Sequence, residues 1–327
     1  MVKLAILDDY LDVARRLVDW SAVERRCEVV VVHRKLSDDE LAVELADVDI
    51  VCTLRERTAF PASLLARLPQ LKYIAVTGMR YDCVDVAAAT ERGVVVSNSE
   101  VTRGGGGVSE LAWGLVIAAL RHMAHDDAVM RRGGWQTRMG TTLRGKTLGI
   151  LGLGRIGGRM AVYAQAFEMN VLAWSPNLTP ERAAVAGAQA VSLDELLQKS
   201  DVVTVHLPLA ERTRNLIGTR ELALMQPDAV LVNTARAAIV NEVALIDALR
   251  HRRIGVAGLD VFEVEPLPAD HPFRSMDNTV LSPHMGYFTR EMLTVYYEDA
   301  VQAVLCFLDG QPIRVVNPAV AARMPVA

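Results

Sequence analysis

Cysteine is scarce in this chain of 327 residues, and its spacing argues against two classes of protein. The four cysteines, Cys27, Cys52, Cys83 and Cys306, lie far apart and form no C-x-x-C pair. Disulfide-rich secreted domains and zinc modules both need closer, repeated spacing. We therefore expect reduced, buried thiols in a cytoplasmic protein.

Long apolar runs are also missing. The longest, Leu111 to Leu120, is well short of the roughly 20 residues that span a bilayer. The apolar start at Leu4–Leu7 is too short for a signal peptide and is typical of a first strand. We expect neither a membrane segment nor export.

Positive charge is not in excess, and metal-ligand clusters are not evident. The formal net charge is −4, so nothing favours nucleic acid as a partner, and a small molecule is expected. His122 and His125, beside Asp126, lie three apart on a predicted helix, but the sequence offers no third ligand. We predict no metal.

What is present is enough apolar sequence for two cores, since 51% of the residues are hydrophobic and the length exceeds one ordinary domain. Short apolar strands alternate with helical patterns in two series, which predicts an α/β fold with doubly wound parallel sheets. The first series has strands near 4–7, 29–32, 50–53, 74–76 and 94–97, and the second at 148–151, 171–174, 202–206, 230–233, 256–260 and 280–282.

Two helices are predicted to link these series. One lies in the segment Val101–Arg132, in which four consecutive glycines from Gly104 precede a long apolar helix through Leu111 and Leu120, and Val101–Gly107 would allow hinge motion. The other, over Arg290–Leu308, is expected to cross back to the first domain. We therefore predict a discontinuous domain of residues 1–99 plus 291–327 and a second domain of residues 100–290.

A glycine-rich turn opens the second series. Gly152, Gly154 and Gly157 follow a short strand and precede helical periodicity, the context in which G-x-G-x-x-G binds a dinucleotide. The first glycine permits the tight turn, the second lets the backbone reach a pyrophosphate, and the third allows close packing of helix on strand. The sequence thus predicts a Rossmann domain.

Three later strands end in residues suited to catalysis. Ligands bind beyond the carboxyl ends of strands in open α/β sheets. Arg236, Glu265 and His284 follow the fourth, fifth and sixth strands of the second series, so we expect them to meet. Glu263 is a second carboxylate nearby.

At these residues the sequence resembles the D-isomer-specific 2-hydroxyacid dehydrogenases. The resemblance covers most of the chain and rests on the glycine turn and on the stretches His206–Leu209, Asn233–Arg236, Gly258–Glu263 and Ser282–Gly286. It implies NAD(P)-dependent interconversion of 2-oxo acids and D-2-hydroxy acids by a Rossmann domain and a smaller flavodoxin-like substrate domain. It also implies a homodimer formed through residues 101–132.

The chemistry accounts for these residue types. Reduction of a ketone needs a proton donor beside its oxygen, which suits His284. The resemblance assigns to Glu265, rather than Glu263, the carboxylate that bonds the other ring nitrogen and fixes the tautomer. Arg236 would hold the substrate carboxylate and polarise the carbonyl through its planar fork of donors.

The resemblance also implies where the cofactor and substrate bind. An acidic residue normally follows the second strand of an NAD site, but here Ser175 and Asn177 stand there and the nearest arginine is Arg182, so NAD is expected and NADP stays open. In the first domain, the backbone of Gly78 and Met79 would bind the substrate carboxylate, and Arg55 would either face substrate or be a solvated charge. Arg80 would favour a larger or more anionic substrate or pair with Asp82. The expected cofactor contacts are Gly152, Gly154, Arg155, Ile156, Gly157, Ser175, Asn177, His206, Pro208, Thr213, Thr234, Ala235, Asp260 and Gly286.

Two other functions fit the same motifs. The first is oxidation of another small oxyanion, such as a phosphonate; formate is disfavoured because formate members of the family replace the glutamate with glutamine. The second is a dinucleotide-sensing binding protein like the corepressors of the family, although these usually carry extra regulatory tails.

Overall fold

The computed structural model describes residues 1–100 and 106–321. The chain forms two compact units. The first comprises Met1–Gly105 and Thr289–Ala327, and the second comprises Gly106–Phe288. Each has its own parallel sheet, so the predicted α/β class is confirmed.

The sheet of the first unit has five parallel strands in the order β2-β1-β3-β4-β5, which is the flavodoxin-like order. Every residue of β3 and β4 is buried, as expected for central strands covered on both faces. The strands are β1 Val2–Ile6, β2 Cys27–Val31, β3 Ile50–Thr53, β4 Tyr73–Val76 and β5 Val95–Asn98. The helices between them are α1 Ala14–Leu17, α2 Ser21–Glu24, α3 Asp38–Glu44, α4 Ala62–Leu65 and α5 Val86–Glu91.

The sheet of the second unit has seven parallel strands in the order β12-β11-β10-β9-β6-β7-β8. Six strands were expected; the additional strand is β8, whose two residues are too few to leave a pattern in the sequence. The central order is that of a dinucleotide-binding sheet, with the change of direction between β6 and β9. The strands are β6 Thr147–Leu151, β7 Asn170–Trp174, β8 Gln189–Ala190, β9 Val202–Val205, β10 Val230–Asn233, β11 Val256–Leu259 and β12 Thr279–Leu281.

Seven α-helices of the second unit are described: α6 Gly107–Leu120, α7 Met123–Arg131, α8 Arg155–Ala166, α9 Pro180–Val185, α10 Leu193–Lys199, α11 Thr219–Leu224 and α12 Glu242–Arg250. The helix predicted through Leu111 and Leu120 is present as α6, but it ends at Leu120 and a second helix, α7, follows His122, whose backbone is left-handed with φ 52°. Helix α6 packs against β10 and β11. Most of the proposed hinge at Val101–Gly107 lies outside the described residues.

The chain returns to the first unit through α13 Arg290–Leu308, which has the predicted bounds, and ends its described part with α14 Pro318–Ala321. Phe307 of α13 stacks on Tyr73 of β4 with ring centroids 4.3 Å apart. Asn317 accepts a 2.9 Å hydrogen bond from the amide of Val96 and donates one to the carbonyl of Val94. The segment after Thr289 is therefore part of the first unit's core.

All four cysteines are free thiols. Cys27 and Cys52 are buried, whereas Cys83 and Cys306 are partly exposed. In the described ranges, no helix is both long and apolar enough to cross a membrane.

Candidate active site

The glycine turn between β6 and α8 is closed on one side and open on the other. Gly152 has φ +101°, and a Cβ there would lie 2.8 Å from the His206 carbonyl. A Cβ on Gly157 would lie 2.1 Å from the carbonyl oxygen of Gly152, so α8 is pressed against the turn. At Gly154, by contrast, a Cβ would meet nothing within 4 Å. This open N-terminus of a twelve-residue helix fits a pyrophosphate.

The other expected cofactor contacts near this turn lie at the ends of neighbouring strands. Arg155 and Ile156 are the first two residues of α8, with Arg155 exposed and Ile156 partly buried. Ser175 and Asn177 follow β7, and the amide of Leu178 closes that turn by donating to the carbonyl of Ser175. All these positions border the carboxyl edge of the sheet.

The loop after β9 contains His206, whose ring is held neutral. Burial lowers the pKa of His206 to about 3. Its Nε2 pairs with Thr204 Oγ1 at 2.8 Å, whereas its Nδ1 is buried without a hydrogen-bond partner among the described residues. A buried polar atom without a partner is unusual, and it fits a site completed by a bound group.

The same loop is braced by Thr213. Its hydroxyl accepts from the amide of Ala210 at 2.8 Å and donates to the carbonyl of Pro208 at 2.8 Å. The side chain is 2% exposed. Thr213 therefore shapes the loop that carries Pro208 through hydrogen bonds within the chain.

Arg236 follows β10 in a turn organised by Asn233, a residue that the sequence analysis did not single out. The buried Asn233 side chain accepts from the amide of Ala235 and donates to the carbonyl of Arg236, both at 3.0 Å. Arg236 Nη1 also donates to the carbonyl of Ala235 at 2.7 Å. Thr234, which follows Asn233, is 7% exposed. The available signal was an asparagine at a strand end, where its side chain commonly bonds nearby backbone.

Glu265 and His284 are in direct contact. His284 Nδ1 lies 2.6 Å from Glu265 Oε2, and Glu265 Oε1 accepts from the amide of Phe262 at 2.9 Å. Burial alone would raise the pKa of the Glu265 carboxyl, but the hydrogen bond and charge of His284, the Phe262 amide and the charge of Arg236 lower it overall. His284 and Glu265 are thus in contact, and Arg236 lies close enough for its charge to act on the same carboxylate. Glu263 and Glu265 are both exposed, and of these two carboxylates it is Glu265 that contacts His284.

Asp260 holds the loop that carries His284. Its two carboxylate oxygens accept from the amides of Met285 at 2.7 Å and Gly286 at 3.0 Å. Asp260 is 1% exposed, and this burial raises the pKa of its carboxyl despite the hydrogen bonds it accepts. Asp260 therefore fixes the backbone just after His284, whose own backbone is left-handed with φ 56°.

In the first unit, Gly78 and Arg55 are neighbours. Gly78 has φ +95°, a conformation that strains a residue with a side chain, and a Cβ there would lie 2.6 Å from Arg55 Nη1, so the loop and the guanidinium are in close contact. Arg55 Nη1 also donates to the Tyr296 hydroxyl at 3.1 Å, and the Arg55 side chain is 19% exposed. Arg55 is thus not the solvated surface charge that the sequence left open. Met79, next in the loop, is 55% exposed.

Arg80 is paired with carboxylates. Its Nε lies 2.7 Å from Asp82 and 3.9 Å from Glu56. Of the two expectations for Arg80, the geometry agrees with pairing to Asp82.

The histidines considered for a metal have other surroundings. His125 Nε2 lies 2.9 Å from the hydroxyl of Thr137 on the surface. Among the described residues, no three histidine, cysteine or acidic side chains are grouped to hold a metal ion.

Comparison with known proteins identifies the family. Residues 113–286 match the family described as D-isomer specific 2-hydroxyacid dehydrogenase, NAD binding domain. The chain belongs to this family, and its class is that of NAD-dependent dehydrogenases of 2-hydroxy acids. The family, enzyme class and NAD(H) cofactor expected from the sequence are confirmed.

Individual relatives extend the match beyond that domain. The chain is 41% identical over 278 residues to the glyoxylate reductase of Aeropyrum pernix. This alignment covers 80% of this chain and 81% of the relative. It is 37% identical over 295 residues to the D-3-phosphoglycerate dehydrogenase of Methanocaldococcus jannaschii, covering 89% of this chain but only 54% of that relative. It thus spans about half the length of that dehydrogenase.

Solved structures resemble both units. An oxidoreductase from Ralstonia solanacearum is similar with a TM-score of 0.92 and 38% identity, covering 98% of each chain.

Proposed function

We propose that the protein uses NAD(H) to reduce a small 2-oxo acid to its D-2-hydroxy acid, and to catalyse the reverse oxidation. The observation that carries this proposal is the 2.6 Å contact between His284 and Glu265, with the charge of Arg236 acting on the same carboxylate. A carboxylate-oriented imidazole beside a guanidinium is what proton transfer to an anionic ketone needs.

When bound, NADH supplies the hydride that adds to the ketone carbon. The glycines of the turn at 152–157 would hold its pyrophosphate, and the neutral His206 would border it. The chain itself must then deliver a proton to the ketone oxygen as that oxygen gains electrons.

His284 supplies this proton. Glu265 is ionised because its pKa is lowered, so it accepts the Nδ1 hydrogen of His284 and leaves Nε2 to donate to the substrate. Loss of the Nε2 proton leaves neutral His284, which in the reverse direction takes the hydroxyl proton. Glu265 acts by orienting the ring through its contact with Nδ1.

In the second unit Arg236 is suited to binding a carboxylate, and in the first unit the backbone amides of Gly78 and Met79 are suited to binding an anion. A guanidinium presents paired donors to a carboxylate, and a glycine with positive φ lets backbone amides approach an anion closely. Arg55, packed against Gly78, adds positive charge to this loop.

A small, unphosphorylated substrate suits the first unit best. Arg80, the extra cation of the substrate loop, is engaged by Asp82 and Glu56, and Arg55 Nε lies 3.3 Å from Glu56. These carboxylates neutralise charge that a phosphate group would need. The name of the Aeropyrum pernix relative, glyoxylate reductase, points to the same size of substrate.

The test is turnover of NADH with glyoxylate, hydroxypyruvate, pyruvate and branched-chain 2-oxo acids, followed by absorbance. His284→Ala should lower kcat for the best substrate by about 100-fold or more, the usual contribution of general acid catalysis. Because the cofactor contacts are elsewhere, NADH binding should stay within about twofold of the wild type.

The matched control is His251→Ala. His251 is an exposed histidine that also lies 3.0 Å from a carboxylate, that of Asp247, and its loss should leave kcat unchanged. Failure of every 2-oxo acid to turn over, or a fully active His284→Ala variant, would overturn the proposal.

We further propose a cytoplasmic homodimer joined through the region of residues 101–132. The four free thiols suit a reducing compartment. Several large apolar side chains in and beside this region are exposed, which supports its role as an interface. They are Met123, Met130, Trp135 and Met139, with exposures of 55%, 52%, 70% and 93%.

A further inference from the structure

A second histidine–glutamate pair involves the loop that carries Glu265. His271 Nε2 lies 3.1 Å from Glu242 Oε1, and the two side chains are 14% and 18% exposed. Glu242 is the first residue of α12, where the N-terminus of the helix favours a negative charge. The pair thus links the loop after β11 to a helix through a largely buried polar contact.

The hydrogen bonds of His271 determine which of its ring nitrogens carries the proton. The amide of Phe273 lies 3.3 Å from His271 Nδ1, and a backbone amide can only donate. Nδ1 is therefore the acceptor, so the proton of the neutral ring lies on Nε2 and points to Glu242. The neutral ring satisfies both partners, and the contact does not require a charged histidine.

The second oxygen of Glu242 reaches the turn that orients Glu265. Glu242 Oε2 accepts from the amide of Glu263 at 3.4 Å. The preceding amide, that of Phe262, donates to Glu265 Oε1 at 2.9 Å. Two consecutive amides are thus held by two carboxylates. Release of the Glu263 amide would therefore free the chain next to the amide that orients Glu265.

Aromatic packing joins His271 to the same turn. The centroid of the His271 ring lies 4.9 Å from that of Phe273, whose own ring centroid lies 6.5 Å from that of Phe262. Phe262 and Phe273 are 7% and 2% exposed. The hydroxyl of Thr279 in β12 donates to the carbonyl of Phe273 at 2.9 Å. Phe262 is thus held through its side chain as well as through the neighbouring amide.

We propose that Glu242 and His271 are positioning residues for the acid–base pair. Their contact holds the turn at Phe262 in the conformation that places Glu265 against His284. A buried polar network whose members are all satisfied favours one loop conformation over others. The inference deepens the proposed function and rests on it. Its effect falls on proton transfer and not on NADH, whose expected contacts lie at the glycine turn.

Two substitutions of His271 separate its contact with Glu242 from the rest of its side chain. In His271→Gln the amide nitrogen stands where Nε2 stood and still donates to Glu242. In His271→Asn the shorter side chain keeps only an acceptor near the position of Nδ1. His271→Asn should lower kcat about tenfold, with the KM of the 2-oxo acid and the Kd of NADH changed less than about twofold. His271→Gln should keep kcat within about threefold of wild type.

Glu242→Gln tests the other partner. Its amide nitrogen cannot accept a hydrogen bond, so it loses either the Glu263 amide or the His271 ring. It should therefore lower kcat about as much as His271→Asn, again with little change in KM.

Proton NMR observes the positioning without turnover. The Nδ1 proton that His284 donates to Glu265 lies in a 2.6 Å hydrogen bond and should resonate far downfield. Its loss in His284→Ala identifies the resonance. The resonance should persist in His271→Gln and be lost or shifted upfield in His271→Asn and Glu242→Gln.

The matched control is Glu263→Gln, which makes the same change of charge on the loop but keeps the Glu263 amide. The Glu263 side chain is exposed, so kcat and the resonance should not change. Urea unfolding establishes that each variant is folded. A folded His271→Asn or Glu242→Gln variant with the kcat and resonance of wild type would overturn the inference, as would equal losses in His271→Asn and His271→Gln.

The resonance also separates this inference from the proposed function. A wild type that reduces no 2-oxo acid would overturn the proposed function. If its downfield resonance were still lost in His271→Asn and kept in His271→Gln, the positioning of Glu265 by Glu242 and His271 would be supported.

Discussion

Buried polar side chains fix the backbone of the candidate active site, residue by residue. Asn233 spans the turn before Arg236, and Asp260 holds the amides that follow His284. Each polar atom that is buried and bonded in this way favours one loop conformation over others. The acid–base pair is therefore positioned by residues that need not contact substrate.

The neutral His206 makes stability depend on pH. The pKa of His206 is lowered from 6.5 to about 3 by burial, so below pH 6.5 the unfolded chain takes up a proton that the folded chain does not. Stability must therefore fall as pH decreases through this range. Between pH 7 and pH 5, wild type should lose about 1–2 kcal/mol more than His206→Gln.

Urea unfolding at the two pH values, followed by tryptophan fluorescence, measures this difference. His251→Gln, which alters an exposed histidine, should lose as much stability as wild type. Equal losses for wild type and His206→Gln would show that His206 is not held neutral.

The candidate catalytic residues can be recognised from the sequence more readily than the residues that position them. Arg236, Glu265 and His284 stand at strand ends in a recognisable order, and their meeting follows from the rule that parallel strands share a carboxyl edge. The function of Asn233 depends on which amides its side chain reaches. That depends on turn geometry, which residue type alone does not determine.

At the scale of elements, α8 is coupled to the turn that precedes it. Gly157 and Gly158 are adjacent in this helix, yet a Cβ on Gly157 would lie 2.1 Å from the Gly152 carbonyl oxygen, while one on Gly158 would meet nothing within 4 Å. The two glycines are chemically identical and differ only in which way they face.

This difference predicts opposite effects of the same substitution. Gly157→Ala must push α8 off the turn, which should cost about 1–3 kcal/mol of stability and weaken NADH at least about tenfold. Gly158→Ala should stabilise the protein by about 0.5–1 kcal/mol, because alanine is favoured in helices, with unchanged NADH binding. Thermal unfolding and NADH titration of both variants test this; similar behaviour of the two would refute the packing argument.

The elements that sequence reasoning missed share a cause. Strand β8 has two residues and no periodicity to detect. The break between α6 and α7 occurs at His122, whose left-handed backbone is uncommon for any residue other than glycine, although histidine adopts it more often than most. In both places tertiary packing, rather than local pattern, determines the backbone.

The exposed apolar residues after α6 lead us to expect that the protein is a dimer. Burying Met130 and Trp135 against a second copy would remove apolar area from water. Wild type should therefore be a dimer by light scattering at micromolar concentration, and Met130→Lys combined with Trp135→Ser should shift it towards the monomer.

Val243→Ser provides the control for that experiment. Val243 is an apolar residue with 78% exposure on α12, and its replacement should leave the dimer intact. A monomeric wild type would contradict the prediction.

The interrupted layout of the first unit has a consequence for biosynthesis. Its sheet needs α13 and Asn317, which leave the ribosome only after the whole second unit has been made. At about 5–20 residues per second, the second unit of roughly 180 residues takes about 10–40 s to translate. The second unit can thus fold while it emerges. The strands of the first unit, which are made earlier, remain incomplete during this time because α13 is not yet present to cover Tyr73. During that interval the nascent N-terminal third is the part of the chain that a chaperone would need to shield.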